Sequence, residues 1–446
     1  MRYSEDDKDS TIERASFKST PDQDLTEEPA VGSKQGVEIE AQTAGVEKDT
    51  SETNWTALSQ IVVAFFLTFN TWGVLNTYGA YQTYYVSTDI LKCTNSQISW
   101  IGSLQGCLIL GTLIITGPLF DRGYARALTC GGLLLDVFGM MMTSIASEYW
   151  QLMLCQGVCV GLGHGCLFIV AVGQLALTFK RHRWMALGLA QSGGSIGAII
   201  YSEVFRKLQP SVGAGWATRT IAFIMLGTLT ISAVLLRPHK LPKPRKMFDA
   251  DAFRNAPFNV FAVASFTGFL GLYIPFFYIQ EYALAHGMKA MPDLASSTLA
   301  ILNAGSVIGR IVPGFIADEI GLLNTYLTCT VGAALFGFIW IACKSVGGIV
   351  IFTIFYGFFS GCAAALQPAV LASLAPQPNL VGTWVGMGSL FSSTGLLLGS
   401  PLGGLIYDHS GWTSLQLWCA CLVVACTAAT AATRVLRAGA GVMTKV

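Results

Sequence analysis

The stretch QISWIGSLQGCLILGTLIITGPLFDR, residues 97–122, carries no charge before Asp121 and Arg122. A hydrocarbon core about 30 Å thick is crossed by roughly 20 apolar residues in a helix, so this run predicts a membrane span that stops at a charged loop. Its closing pattern, Gly117-Pro118-Leu119-Phe120-Asp121, returns as Gly314-Phe315-Ile316-Ala317-Asp318, 197 residues later. Gly157 and Gly161 return as Gly357 and Gly361, and Ile200-Tyr201 as Ile406-Tyr407, at offsets of 200 and 206. Three echoes at nearly constant spacing predict two repeated halves. Parallel repeats of this kind hold a substrate between them near the bilayer midplane.

Working outward, the whole chain is 446 residues, 52% hydrophobic and only 12% charged. Of its 26 acids, 14 fall before residue 54, as do 6 of its 27 bases. The remainder is far below the roughly 25% charge of a soluble domain, and could not cover a soluble surface. A cytosolic enzyme, a disordered regulator and a nucleic-acid binder are thereby excluded. The 12 cysteines are scattered through apolar stretches, and no Cys/His cluster has metal-site spacing, so no metal and no cofactor is expected.

Twelve apolar runs qualify as spans: about 56–78, 97–117, 127–146, 149–173, 184–205, 217–236, 257–279, 294–316, 322–343, 347–370, 382–406 and 412–433. The expected fold is an all-α polytopic membrane protein of twelve transmembrane helices in two six-helix repeats. Its divisions are an acidic, disordered cytosolic tail (1–53), a first bundle (54–236), a basic Pro-containing linker (237–256), a second bundle (257–436) and a short tail (437–446). With both termini cytosolic, the cytosolic segments after residue 53 hold 14 bases and the external loops 6, which is the orientation that positively charged loops select.

Twelve spans in two repeats, with Gly117-Pro118-Leu119-Phe120-Asp121-Arg122-Gly123 after the second, resemble the major facilitator superfamily. Asn70-Thr71-Trp72-Gly73, Tyr78-Gly79-Ala80-Tyr81, Pro275-Phe276-Phe277-Tyr278 and Asn303-Ala304-Gly305-Ser306-Val307-Ile308-Gly309-Arg310 resemble its monocarboxylate-porter-like branch, in the fungal form. The resemblance implies a transporter that rocks two bundles around a central site. It also implies that Asp121 and Arg122, with Asp318 as the repeated acid, hold a cytosolic gate.

The residues themselves nominate the site. An Arg at membrane depth costs roughly 2.5–3.5 kcal/mol on insertion scales and must meet a partner or a water-filled cavity, which singles out Arg310. Its planar guanidinium can take a carboxylate through two parallel hydrogen bonds. Asn303 and Ser306 share its helix face. Asn76, Tyr273 and Phe277 supply further polar and aromatic lining for an organic ligand. His164, inside Gly163-His164-Gly165, can change charge near neutral pH and is the candidate for proton coupling; Asp136 stands alone in its span with no role assigned.

With no nucleotide-binding motif, the expected activity is secondary transport of a small organic anion, with protons as the candidate coupling partner and the bilayer as the working environment. Efflux of a carboxylated secondary metabolite is the leading expectation. Uptake of a monocarboxylate or vitamin-like acid is the alternative, and a non-transporting nutrient receptor the alternative class. The protein is expected to act as a monomer, in the plasma membrane.

Overall fold

The computed structural model describes residues 52–88, 92–179, 183–237, 248–377 and 380–439. The acidic tail (1–51), the core of the basic linker (238–247) and the terminal residues 440–446 lie outside the described residues. From Trp55 onward the chain packs as one unit.

Among the described residues, ten helical runs are long and apolar enough to cross a bilayer. Two of these are double. Met185–Leu235 is interrupted at Gly213 (φ 83°, ψ 159°) and Val381–Ala438 at Gly411 (φ 75°, ψ −173°). A straight helix of 51 residues would be about 77 Å long, more than twice the hydrocarbon thickness. A residue with positive φ breaks the run, and glycine adopts that backbone without a Cβ penalty. The described residues therefore make twelve passes, as the apolar runs predict.

In chain order the passes are α1 (Glu52–Thr88), α2 (Asn95–Asp121), α3 (Ala125–Thr143), α4 (Tyr149–Thr178), α5 (183–212) and α6 (214–235). The second six are α7 (Ala256–Ala285), α8 (Pro292–Ile320), α9 (Leu322–Ala342), α10 (Val346–Leu374), α11 (381–410) and α12 (412–438). Among the described residues there is no strand, as expected in hydrocarbon, where a helix satisfies its own backbone. Even-numbered passes end on the same side as Trp55 and Ala438, hereafter the terminal face. The opposite side is the loop face.

The repeated glycines of the sequence are repeated crossings. Gly157 and Gly161 on α4 face Leu104, Leu108 and the backbone of Ile101 and Gln105 on α2. Gly357 and Gly361 on α10 face Leu302 and Ser306 on α8, while Gly305 and Gly309 on α8 face the backbone of Ile354 and Phe358 in return. In a bilayer the lipid tails are as apolar as the side chains, so such close backbone approach drives helix association.

A Cβ at Gly309 would stand 1.9 Å from the carbonyl oxygen of Phe358, whereas one at Gly117 would meet nothing within 4 Å. Gly309→Ala should therefore cost about 1–3 kcal/mol, as overpacking does. A thermal melt of the purified protein in detergent should show a lowered midpoint for Gly309→Ala and none for Gly117→Ala.

Candidate functional site

The sequence places a polar strip on α1 and another on α8, and packing brings them together. Asn76 Nδ2 donates to Asn303 Oδ1 at 3.4 Å, and Asn303 is held in turn by its own Nδ2 donating to the Leu299 carbonyl at 2.9 Å. One turn on, Ser195 of α5 donates to Ser306 Oγ at 3.0 Å. Arg310 completes the strip. Its Nε donates to Ser306 Oγ at 3.3 Å, and its Nη1 donates to the Gln191 carbonyl of α5 at 2.8 Å.

Arg310 is thus buried where α5 meets α8, 3% exposed. It lies ten residues from Ile320 and eighteen from Pro292, about 15 Å and about 27 Å along the helix. Two of its five donors are used by the protein. No carboxylate among the described residues lies within ion-pair distance of it. A charge in this position is solvated by dipoles but not neutralised.

Beside it stands an aromatic wall. Trp72 of α1 stacks on Tyr273 of α7 (centroids 6.0 Å, planes 28° apart) and meets Phe168 of α4 edge-on at 5.6 Å. Tyr273 stacks further on Phe269 at 5.7 Å. Trp72 and Arg310 both border the bare backbone of Gly194 on α5. Trp72 Nε1, Asn76 Oδ1 and Gln191 Oε1 are buried without a hydrogen-bond partner in the protein. Such groups are costly to leave unpaired, which suits them to a ligand's polar atoms.

Four of the five nominated binding residues, Arg310, Asn303, Asn76 and Tyr273, belong to this cluster. Phe277 sits one turn nearer the loop face, against Tyr78 at 5.2 Å. There it joins a seal. Tyr278 OH shares a 2.7 Å hydrogen bond with Ser99 Oγ of α2 and donates to the Ser400 carbonyl of α11 at 3.1 Å. Ser96 Oγ donates to the Pro401 carbonyl and Asn95 Nδ2 to Asp408 Oδ1, each at 2.9 Å. Across α5 and α8, Arg206 and Asp293 form a 3.3 Å ion pair.

The terminal face is hollowed instead. A cavity of about 280 Å³ runs between the ends of α2, α4 and α10 and the starts of α5 and α11, lined by Phe120, Asp121, Val172, Pro368, Val381 and Met387 among others. It is largely apolar, and Asp121 is the acid on its wall. One helical turn of α4 separates Val172 in this vestibule from Phe168 against Trp72. Arg122 and Asp318 lie exposed at the same membrane level. His164 lies away from the cluster, facing Asp136 and Gln105.

Sequence reasoning missed Trp72, Gln191 and the whole loop-face seal. Trp72 had a signal, since it directly follows the Asn70–Thr71 polar pair and lies one turn before Asn76. The glycine-rich Gly193-Gly194-Ser195 run likewise marks a close helix approach.

The seal supplies a prediction. Tyr278→Phe deletes the hydroxyl that ties α7 to α2 and α11, worth about 1 kcal/mol, so opening of the loop face should become about fivefold more frequent. Ser103→Cys, one turn beneath Ser99, reports this as faster reaction with an impermeant thiol reagent admitted from that face.

The family model described as Major Facilitator Superfamily matches residues 61–341 and 292–440. The MFS-type transporter dbaD of Emericella nidulans is 39% identical over 80% of this chain and 81% of its own length. The aspyridones efflux protein apdF of the same organism is 34% identical over 80% and 73%. The agnestins efflux protein of Paecilomyces divaricatus is 34% identical over 84% and 86%. The crystal structure of the nucleoside transporter NupG shares the fold with a TM-score of 0.66 at 14% identity, over 85% of this chain and 99% of that one.

Proposed function

The chain belongs to the major facilitator superfamily, and from that premise we propose that it exports a carboxylate-bearing secondary metabolite across the plasma membrane. Export is supported by two relatives named as efflux proteins, for aspyridones and for agnestins. Among the family's branches, the Asn303–Arg310 motif favours the monocarboxylate-porter-like one.

The carrying observation is the uncompensated guanidinium of Arg310 beside the open hydrogen-bonding atoms of Trp72, Asn76 and Gln191. A substrate carboxylate supplies the missing negative charge and can take two parallel N–H donors. The Trp72–Tyr273–Phe269 stack receives the apolar body of the same molecule. The bias of Lys and Arg toward the loops of the terminal face supports a cytosolic terminal face. The vestibule then opens to the compartment that makes the metabolite, with the outer face shut. Export proceeds as the first and last six helices rock, breaking the Tyr278 seal and closing around Asp121.

Two outcomes test this. The metabolites retained by a strain lacking the protein identify the acid, which is then offered to vesicles with its methyl ester. Arg310→Lys keeps the charge but loses the planar two-point contact, and Arg310→Gln loses both, so affinity for the acid should fall in that order by about ten- to a hundredfold overall. An ester carried as well as the acid by the native protein would overturn the anion-anchor role. Asp121→Asn should behave otherwise, slowing turnover while leaving affinity nearly unchanged, because it acts on the gate. Equal losses in both would move Asp121 into the binding site.

A further inference from the structure

The substrate cluster leaves one buried pair of titratable groups unused. Asp136 of α3 and His164 of α4 are both fully buried, with Oδ2 and Nε2 3.6 Å apart. Neither carboxylate oxygen, nor Nε2, has a hydrogen-bond partner in the protein. On the other side of the ring, Nδ1 lies 3.4 Å from Gln105 Nε2 of α2. An amide NH₂ can only donate, so Nδ1 accepts and the neutral ring carries its proton on Nε2, aimed at the carboxylate. The two glycines around His164 build this place. A Cβ at Gly163 would stand 2.2 Å from Asp136 Oδ1, and one at Gly165 1.7 Å from Thr112 Oγ1 of α2.

The other titratable groups that feel the Asp136 charge are the thiols of Cys159 and Cys166 on α4 and the phenol of Tyr201 on α5. Unperturbed, all three are neutral at pH 7. No lysine or arginine among the described residues pairs with Asp136. The charge of the pair is therefore set by its own protons. With none added it is Asp⁻ and neutral His, a net −1 with no donor on either oxygen beyond the ring. One proton from water makes it neutral, either as the acid with a neutral ring or as carboxylate with imidazolium. Only the neutral form is cheap to hold in a dry, apolar surround.

Gln105 connects the pair to the interface between the first and last six helices. The next residue, Gly106, faces Leu396 of α11, and after it Cys107 is bonded to Ser393 of α11, with Sγ 3.0 Å and the carbonyl 2.8 Å from Ser393 Oγ. One short piece of α2 therefore touches His164 on one side and α11 on the other.

We infer that Asp136 and His164 form a proton-binding site whose occupancy sets the contact of α2 with α11, and so the balance between the two conformations of the transporter. The inference does not depend on the identity of the substrate. A proton entering the pair permits α2, α3 and α4 to close dry around it, as seen here. Loss of that proton to water requires the helices to part. Because a secondary transporter draws its driving force from a gradient, such a site gives the chain a way to use the proton gradient.

The proton itself is the probe. The full-length protein, labelled with ¹⁵N-histidine in lipid nanodiscs, is titrated between about pH 8 and about pH 5, and the His164 signal is identified by its absence from His164→Gln. That signal should change with pH in the native protein and with Asp136→Glu, and lose or shift its response with Asp136→Asn. At one fixed pH, Asp136→Asn imitates the protonated acid. Alkylation of Cys107, quantified by peptide mass spectrometry, should then fall about fivefold or more, while Cys421 on the lipid side of α12 is unaffected. A His164 signal constant across the titration, or a Cys107 rate unchanged by Asp136→Asn, would reduce the pair to a structural lock and overturn the inference.

Discussion

A guanidinium cannot be carried through hydrocarbon without dipoles to solvate it, and the centre of this protein is arranged around that requirement. Arg310 reaches from α8 to a backbone carbonyl of α5, and to do so it needs the two helices close together. The small residues of α5 provide the approach, and Ser195 and Ser306 fill the contact with hydroxyls that bond each other. The same contact joins the first six helices to the last six. Arg310 is therefore part of the interface between the halves as well as the proposed anion anchor, which suits a carrier whose substrate must favour one conformation over another.

The two faces of the interface are built from different chemistry. On the loop face, α2, α7 and α11 meet through hydroxyls, an amide, a carboxylate and carbonyl oxygens, directional bonds that break one at a time and can be replaced by water. On the terminal face the walls are mostly apolar and separated, with Asp121 as a charged landmark. An apolar vestibule discriminates little among organic bodies, because each methylene contributes only a modest transfer energy. On the proposed reading, selectivity then falls to the few polar atoms deeper in, around Trp72, Asn76 and Arg310.

Much of this was legible in the chain. Uncharged runs of about 20 residues admit only membrane helices, and the echo of Gly157/Gly161 in Gly357/Gly361 marked crossings that turn out to be α2–α4 and α8–α10. Arg310, Asn303 and Asn76 were findable because polar groups at membrane depth are conspicuous. Partner choice was not legible. In soluble helices an apolar stripe tells which side is buried, but here lipid-facing and protein-facing sides are equally apolar. So Asp136 looked solitary although His164 stands across the α3–α4 contact, and nothing in the spacing of Ser99, Tyr278 and Ser400 relates them. The span lengths shifted for a similar reason: α7 continues to Ala285 because Gln280 and Tyr282 are buried against other helices.

Arg310, the proposed anion anchor, lies apart from the Asp136–His164 pair inferred to bind a proton, and that separation limits how the two ligands can be linked. Were the proton and the substrate to share one residue, coupling would be simple competition, and any change in substrate charge would alter it. Held apart, they influence each other only through elements whose position both sites bias. α2 bears the Gln105 contact to His164 and the Cys107 contact to Ser393 within one turn. α5 and α1 carry the partners of Arg310 and Asn303. Coupling free energy is reciprocal, so whatever proton binding does to substrate affinity, substrate binding must do to proton affinity. That reciprocity passes through helix contacts rather than through a common charge. Under the two proposals, the chemistry of the pocket around Arg310 can then change from one acid to another while the Asp136–His164 pair stays the same.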